Sequence, residues 1–228
     1  GLAGERIAVI GKNSYNWFLA NLATQFLGSI CVPLDKDLKY GEFETSLARV
    51  EATVIFYDSK EADMVKQAMA SGKTSLRVAF ANYDTDENVT MEQLLEEGKA
   101  IIDGGDLSVK DVEIDENAIA YLLFTSGTTS QSKIVMLSQR NIYTNVMNML
   151  DVEPCMPTDS TIAFLPYHHT FGSTGQLVML GSGMRTSYCD GLKYLQKNLQ
   201  EYEVSFFVGV PLLVESIYAR IMKTVEKE

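Results

Sequence analysis

Cysteine and histidine are scarce in this chain of 228 residues, which contains three cysteines and two histidines. The cysteines, Cys31, Cys155 and Cys189, are odd in number, lie far apart and include no Cys-x-x-Cys pair. A disulfide framework needs paired cysteines, so the sequence indicates a reducing compartment, and we expect the protein in the cytoplasm. The histidines have no thiol near them in the sequence, which argues against a structural zinc site.

Long hydrophobic runs and a secretory signal are also missing. The longest apolar stretch, about residues 206–214, contains Gly209 and Pro211, whereas a membrane-spanning helix needs about 20 apolar residues. No basic segment precedes an apolar one at the N-terminus, as it would in a signal peptide. We therefore expect no transmembrane segment and leave peripheral membrane association open. Since the first residue is Gly1 rather than Met, we also expect a processed chain or a piece of a longer one.

Basic residues are outnumbered, because 19 lysines and arginines stand against 30 aspartates and glutamates, for a net charge of −11. A nucleic-acid-binding surface needs clustered basic side chains, so this balance argues against a nucleic-acid partner. Nearly all of the excess lies in residues 84–116, which contain 12 acidic residues and, as basic ones, only Lys99 and Lys110. This segment is either an acidic docking patch or a solvated excursion between core elements, and the second is the commoner role of such a charge run.

Short apolar segments alternate with amphipathic ones along most of the chain. The apolar runs 6–10 and 30–33 predict buried strands, and the helix-spaced residues Phe43, Leu47 and Val50 predict a helix after them. Strands this apolar have no solvent-facing side. The alternation therefore predicts an α/β fold with mostly parallel sheets flanked by helices.

The acidic segment divides this pattern into two parts. We expect a first α/β lobe over residues 1–81, an acidic connection over 82–116 and a second α/β lobe over 117–228. Within the second lobe, the apolar residues 205–208 predict a strand, and Pro211 suits the first turn of a final helix.

The most informative stretch is the loop that follows the apolar segment 117–124. Residues 125–133 read Thr-Ser-Gly-Thr-Thr-Ser-Gln-Ser-Lys, so six of these nine residues carry a hydroxyl. Such a turn at the end of a strand offers N–H and O–H donors in a concave nest, and Lys133 adds positive charge. This combination suits a polyphosphate, and a polar hairpin turn with a solvated lysine explains the composition equally well. It is not a Walker A loop, which needs a second glycine before the lysine and Ser or Thr after it.

The spacing of this loop resembles the phosphate-loop signature of the adenylate-forming (AMP-binding) superfamily, which includes acyl-CoA synthetases, luciferases and peptide-synthetase adenylation domains. Ser130, Ser132 and Ile134 depart from the commonest form of that signature. The resemblance implies that Lys133 is catalytic and neutralises charge as pyrophosphate departs. It also implies that the ATP phosphates are bound by Thr125, Ser126, Gly127, Thr128, Thr129, Ser130 and Lys133.

A second motif, Leu-Pro-Tyr-His-His-Thr-Phe-Gly at residues 165–172, is similar to the superfamily's Leu-Pro-x-x-His-x-x-Gly segment. The match implies that His169 is catalytic and that His169, Phe171 and Gly172 line the acyl pocket and the CoA tunnel. Read without the resemblance, each histidine would be a structural one, and that stays the interpretation of His168. We expect the two adjacent imidazoles to point in different directions, which argues against joint metal binding.

The flanks extend the resemblance, and residues 209–218 look most like the long-chain fatty acyl-CoA synthetases. Members of that family continue with a Tyr-Gly-x-Thr-Glu segment for adenine and magnesium, a ribose-binding Asp and a small C-terminal domain, and none of these is found before Glu228. The resemblance therefore implies a fragment of the large N-terminal domain, without metal ligands of its own and inactive alone. We expect apolar surface near the cut to favour self-association.

The function implied for the parent protein is that of an ATP-dependent fatty acid–CoA ligase. Its substrates would be a fatty acid, ATP and CoA, and its cofactor Mg²⁺, held mostly by residues outside this chain. Two alternatives stay open: an adenylation domain that loads a carrier protein, and a non-enzymatic phosphate- or nucleotide-binding domain. The sequence does not fix the length of the acyl chain.

Overall fold

The structure is a computed structural model that describes residues 2–125 and 132–225. Its strands and helices alternate in the order β1 (Arg6–Ile10), α1 (Tyr15–Phe26), β2 (Ile30–Leu34), α2 (Tyr40–Val50), β3 (Val54–Tyr57), α3 (Ala62–Ala70), β4 (Val78–Ala81), α4 (Met91–Asp103), β5 (Ile119–Phe124), β6 (Ile134–Ser138), α5 (Gln139–Val152), β7 (Ser160–Ala163), α6 (Thr170–Gly181), β8 (Arg185–Tyr188), α7 (Leu195–Glu201) and α8 (Pro211–Val225). No helix in this part of the chain is long and apolar enough to cross a membrane.

The main sheet has six strands in the order β4-β3-β1-β2-β5-β6. Its first five strands are parallel, and β6 pairs antiparallel with β5. Alternate residues of β1 enter two different cores: Ala8 and Ile10 pack with α2 and α3, whereas Ile7 and Val9 pack with α1. Because helices cover both faces, the prediction of an α/β fold with a mostly parallel, helix-flanked sheet is confirmed.

A second, smaller sheet consists of β7 and β8, which are parallel. The predicted strand at residues 205–208 is wrong, since these residues have no regular secondary structure. The backbone N–H groups of Ser205 and Phe206 both donate to the carbonyl of Ser160, each at 3.1 Å. The segment is therefore bonded to the first residue of β7 but does not continue along the strand. Its apolar side chains line a cavity between α5 and α6.

The main sheet spans the boundary that the sequence places between two lobes. Strands β1–β4 come from residues 1–81, whereas β5 and β6 come from residues 117–228. The acidic connection contributes α4, whose Met91 is buried in the core beside α1. The division into two lobes stays a prediction, and the six-stranded sheet is shared by both of its parts.

Candidate functional site

Several loops meet at one edge of the main sheet because parallel strands end on the same side. The loop after β1 contains Gly11, β2 is followed by Asp35, and β5 is followed by Thr125. In open parallel sheets, ligands bind in the crevice outside the carboxyl ends of the strands. The predicted phosphate loop therefore begins at the edge where such a crevice forms.

Only the two ends of the predicted phosphate loop belong to the described residues. Ser126, Gly127, Thr128, Thr129 and Ser130 lie outside them. At the base of the loop, the backbone N–H of Thr125 donates to the carbonyl of Lys133 at 3.0 Å, which closes the antiparallel pair of β5 and β6. Both side chains are exposed. The loop thus starts and ends side by side, and Lys133 stands at its returning end.

Arg49, on the last turn of α2, is a cation at this loop that sequence reasoning missed. Its guanidinium donates to the carbonyl of Ser132 at 2.8 Å and lies 5.7 Å from the ring centre of Phe124. The pairing joins residues 83 positions apart, and nothing local in the sequence around Arg49 indicates it. Two cationic side chains, Arg49 and Lys133, therefore belong to the base of the loop.

The second motif forms the loop between β7 and the N-terminus of α6. His169 is the residue before α6 and is exposed, and its backbone N–H donates to the carbonyl of Pro166 at 3.2 Å. Gly172 packs directly on this turn, since a Cβ added to it would lie 2.3 Å from the Pro166 oxygen. The glycine of the motif is therefore required by the close approach of α6 to the loop that carries His169.

His168 is half-buried and lies beside Asp35, with 3.6 Å between Nε2 and a carboxylate oxygen. Burial lowers the pKa of the His168 imidazole below its usual value, and the Asp35 carboxylate acts in the opposite direction. The expectation that the two imidazoles point apart is wrong, because the ring centres of His168 and His169 are 4.2 Å apart. Both rings fit the same side of the loop because the backbone turns tightly between Pro166 and His169.

Two cavities flank this loop. One, of about 470 Å³, lies at the carboxyl edge of the strands and is lined by polar groups that include Asn13, Asp35, His168 and His169. The other, of about 630 Å³, lies between α5 and α6 and is mainly apolar. Its lining includes Phe171, Val178, Met179, Phe206, Phe207 and Val208. The structure thus places His169 and Phe171 on different cavities, and Gly172, in the first turn of α6, lines neither of them.

The loop is anchored to the main sheet by residues that sequence reasoning did not assign to the site. The side-chain amide of Asn13 bonds to the backbone on both sides of Pro166. Tyr167 is buried between the rings of Trp17 and Phe18, at centroid distances of 5.1 and 5.7 Å. These contacts bring the histidine loop to the same edge of the sheet as the start of the phosphate loop.

Within residues 2–125 and 132–225, no group of three His, Cys, Asp or Glu side chains converges as a metal site. Magnesium usually keeps several waters and is bound by one or two carboxylates together with substrate phosphates, so this finding does not bear on the Mg²⁺ of the reaction.

Comparison with known proteins gives consistent matches over almost the whole chain. A family model described as AMP-binding enzyme matches residues 2–228. The chain is 23% identical to the chloroplastic long-chain-fatty-acid–acyl-carrier-protein ligase AEE15 of Arabidopsis thaliana, covering 98% of this chain and 33% of that protein. It is 22% identical to the long-chain-fatty-acid–CoA ligase FadD15 of Mycobacterium bovis, covering 95% of this chain and 36% of that protein.

The fold is also found among solved structures. ATP-bound MatB from Rhodopseudomonas palustris superposes with a TM-score of 0.69 at 21% identity, covering 92% of this chain and 40% of that one. At this identity the likeness shows the fold. The chain spans about a third of the length of the curated relatives it matches.

Proposed function

The chain belongs to the family of AMP-binding enzymes, and we propose that the complete enzyme is an ATP-dependent fatty acid–CoA ligase. Support comes from relatives whose names describe ligases of long-chain fatty acids. The observation that carries the proposal is the convergence of two motifs at one sheet edge. The loop that ends at Lys133 starts there, and the loop of His169 is tied to it through Asn13 and Asp35.

The reaction would run in two steps. In the first, an oxygen of the fatty-acid carboxylate attacks the α-phosphorus of ATP, the bond to the β-phosphate oxygen breaks, and pyrophosphate leaves. In the second, the CoA thiol loses its proton and its sulfur attacks the acyl carbonyl, releasing AMP. The mixed anhydride gives the carbonyl a stable leaving group, which a free carboxylate lacks.

The phosphate loop would act on the first step. N–H and O–H donors from Thr125 through Ser130 would hold the β- and γ-phosphates, and Lys133 would neutralise the charge that develops on departing pyrophosphate. Arg49 would hold the returning end of the loop through its contact with Ser132. The guanidinium of Arg49 is then held in place before the reaction by its bond to Ser132 and needs little reorganisation during it.

The two cavities suit the other substrates. The apolar cavity of about 630 Å³ beside Phe171 has the chemistry of an acyl-chain pocket. The cavity of about 470 Å³ beside His169, whose lining includes Asn13 and Asp35, suits the acyl-adenylate and the approaching thiol. Phe171 would then contact the hydrocarbon and His169 the reacting carbonyl, while Gly172 lets α6 pack against the loop that carries His169.

Substitution of Lys133 tests the proposal. In the complete enzyme, Lys133→Ala should lower ATP–pyrophosphate exchange by about 100-fold or more, since losing one well-aimed donor costs about 3 kcal/mol of barrier. Because Lys133 is exposed, the midpoint of urea unfolding should not move. The matched control is Lys197→Ala, which removes an exposed lysine paired with Glu201 on α7 and should change exchange less than about twofold. Exchange at wild-type speed in Lys133→Ala would overturn the assignment.

A carrier protein is the alternative acceptor, favoured by the similarity to the Arabidopsis ligase that loads an acyl-carrier protein. Radiolabelled fatty acid, ATP and either free CoA or a phosphopantetheinylated carrier protein would separate the two. Acylation of CoA alone supports the ligase proposed above, and acylation of the carrier alone replaces it. No exchange and no acylation in the complete enzyme would favour a non-enzymatic nucleotide-binding domain.

The proposal also covers the behaviour of the isolated chain. The 228 residues by themselves should form no acyl-CoA and should self-associate through exposed apolar surface, such as Leu212, Val214 and Tyr218 on α8. The free state of Cys31, Cys155 and Cys189 supports a cytoplasmic location. Acyl-CoA formation by the chain alone would contradict the first expectation.

A further inference from the structure

The side chain of Asn13 bonds to the histidine loop from the opposite end of the chain. Its Nδ2 donates to the carbonyl of Leu165 at 2.7 Å, and its Oδ1 accepts from the backbone N–H of Tyr167 at 3.2 Å. The two partners flank Pro166, which has no N–H of its own to donate. One amide thus occupies both sides of the turn, in the way a neighbouring peptide group would.

The fixed turn is connected to His169 by short hydrogen bonds. The carbonyl of Pro166 accepts from the N–H of His169, and the carbonyl of His169 accepts from the N–H of Ser173 in α6, at 3.2 and 3.1 Å. Gly172 lets α6 approach the same Pro166 carbonyl. A shift of the turn at Pro166 is therefore passed on to the backbone of His169 and the start of α6.

A second attachment acts on the side chains of the loop. Asp35, fixed by accepting from the N–H of Asp37 at 2.9 Å, lies 3.6 Å from His168, and the His168 ring lies against that of His169. The charged groups that face His168 are Asp35, Lys36 and Asp37. Asn13 and Asp35 follow the neighbouring strands β1 and β2. Asn13 therefore holds the loop by the backbone of Leu165 and Tyr167, and Asp35 holds it by the side chain of His168.

We propose that Asn13 is a positioning residue that sets the orientation of His169 toward the cavity of about 470 Å³ which both residues line. Its amide fixes the backbone turn from which the His169 side chain extends, and the ring of His168 packs against that of His169. The catalytic consequence rests on the function proposed above for His169. The orientation itself is a property of this chain and is measurable without any substrate.

The histidines provide a direct readout, since the chain has only two and both lie on this loop. In the imidazole region of ¹H–¹³C spectra of the protein, Asn13→Ala should shift and broaden the signals of His169. Asn16→Ala is the matched control, because Asn16 is equally half-buried and its amide donates to the carbonyl of Asn82 at 3.0 Å. It should leave both histidine signals in place.

A second variant covers the case in which Asn13→Ala does not fold. Asn13→Asp keeps the acceptor for the N–H of Tyr167 and removes the donor to the carbonyl of Leu165, so it should also shift the signals of His169. Signals that match those of the wild type in a folded Asn13 variant would overturn the proposal.

Kinetics in the complete enzyme separate this proposal from the proposed function. Because a displacement of about 1 Å in a reacting group costs about 100-fold in rate, Asn13→Ala should lower kcat about 10- to 100-fold. The KM for ATP should change less than about twofold, and Asn16→Ala should change neither constant. Unmoved histidine signals would overturn positioning by Asn13 even if kcat falls. Moved signals with an unchanged kcat would instead contradict the role of His169 in the reaction.

Discussion

At the scale of single residues, Glu61 is a buried carboxyl group at the start of α3. Its side chain is 4% exposed, and its Oε2 has no hydrogen-bond partner among the described residues. Burial raises the pKa of Glu61 above its usual value, and the charge of Asp58 adds to the effect. The folded protein therefore holds a proton on this carboxyl group more tightly than the unfolded chain does.

Substitution of Glu61 tests this through the pH dependence of stability. A carboxyl group with a raised pKa in the folded state stabilises the fold below its unfolded pKa of about 4.3, and this contribution is lost as the pH rises through the raised value. Glu61→Gln should therefore increase the free energy of unfolding at pH 7 by about 1 kcal/mol and lose this advantage at pH 4. Urea unfolding at both pH values measures it.

The control for this prediction is Asp63→Asn, two residues further along α3. Asp63 is exposed, so its substitution should change the free energy of unfolding by less than about 0.5 kcal/mol at either pH. If the free energy of unfolding depended on pH in the same way for the wild type and Glu61→Gln, the pKa of Glu61 would not be raised in the folded protein.

The same scale shows what a sequence can and cannot predict about a site. Lys133, His169 and Gly172 are recognisable because each belongs to a short motif of fixed spacing. Asn13 and Arg49 are not, because their partners lie 152 and 83 residues away and the contacts exist only once the strands are ordered. The candidate catalytic residues can therefore be predicted from the sequence, whereas the residues that hold them in place are found only in the folded structure.

At the scale of elements, buried strands are the best-predicted part of the fold. Strands β1 and β2 are apolar at nearly every position because helices cover both faces of the sheet. The segment 205–208 is as apolar, but its side chains line the cavity between α5 and α6. Strands β1 and β2 are buried, whereas residues 206–208 are only half-buried, and apolar composition alone does not distinguish a strand from a cavity wall.

Helix α6 gives a prediction at this scale, since two of its glycines have opposite surroundings. A Cβ at Gly172 would lie 2.3 Å from the carbonyl oxygen of Pro166, whereas a Cβ at Gly175 would meet nothing within 4 Å. Gly172→Ala should force α6 from the loop and lower the free energy of unfolding by about 1–3 kcal/mol. Gly175→Ala should raise it by up to about 1 kcal/mol, because alanine favours a helix.

Urea unfolding measures both variants, and the imidazole signal of His169 shows whether the loop has moved. Gly172→Ala should shift that signal, while Gly175→Ala should not. A Gly172→Ala protein as stable as the wild type would mean that α6 does not depend on this close approach.

At the scale of the whole molecule, the question is whether the chain unfolds as one unit or as two lobes. The main sheet takes strands from both sides of the acidic connection. Tyr167, which belongs to the predicted second lobe, is 2% exposed and packs on Trp17 of the first. Its hydroxyl also donates to Gln176 at 2.9 Å. Shared strands and a shared aromatic contact favour a single cooperative transition.

Because Trp17 is the only tryptophan, its fluorescence reports on this contact, while far-UV circular dichroism reports on all helices. The two signals should change together in urea. Tyr167→Ala should lower the free energy of unfolding by about 3–5 kcal/mol, as for other buried aromatic truncations, and should shift both curves equally. Tyr143→Ala, which removes a tyrosine that is 62% exposed, should shift them by less than about 0.5 kcal/mol. A fluorescence transition separate from the dichroism transition would instead establish two independently folding lobes, divided at the acidic connection.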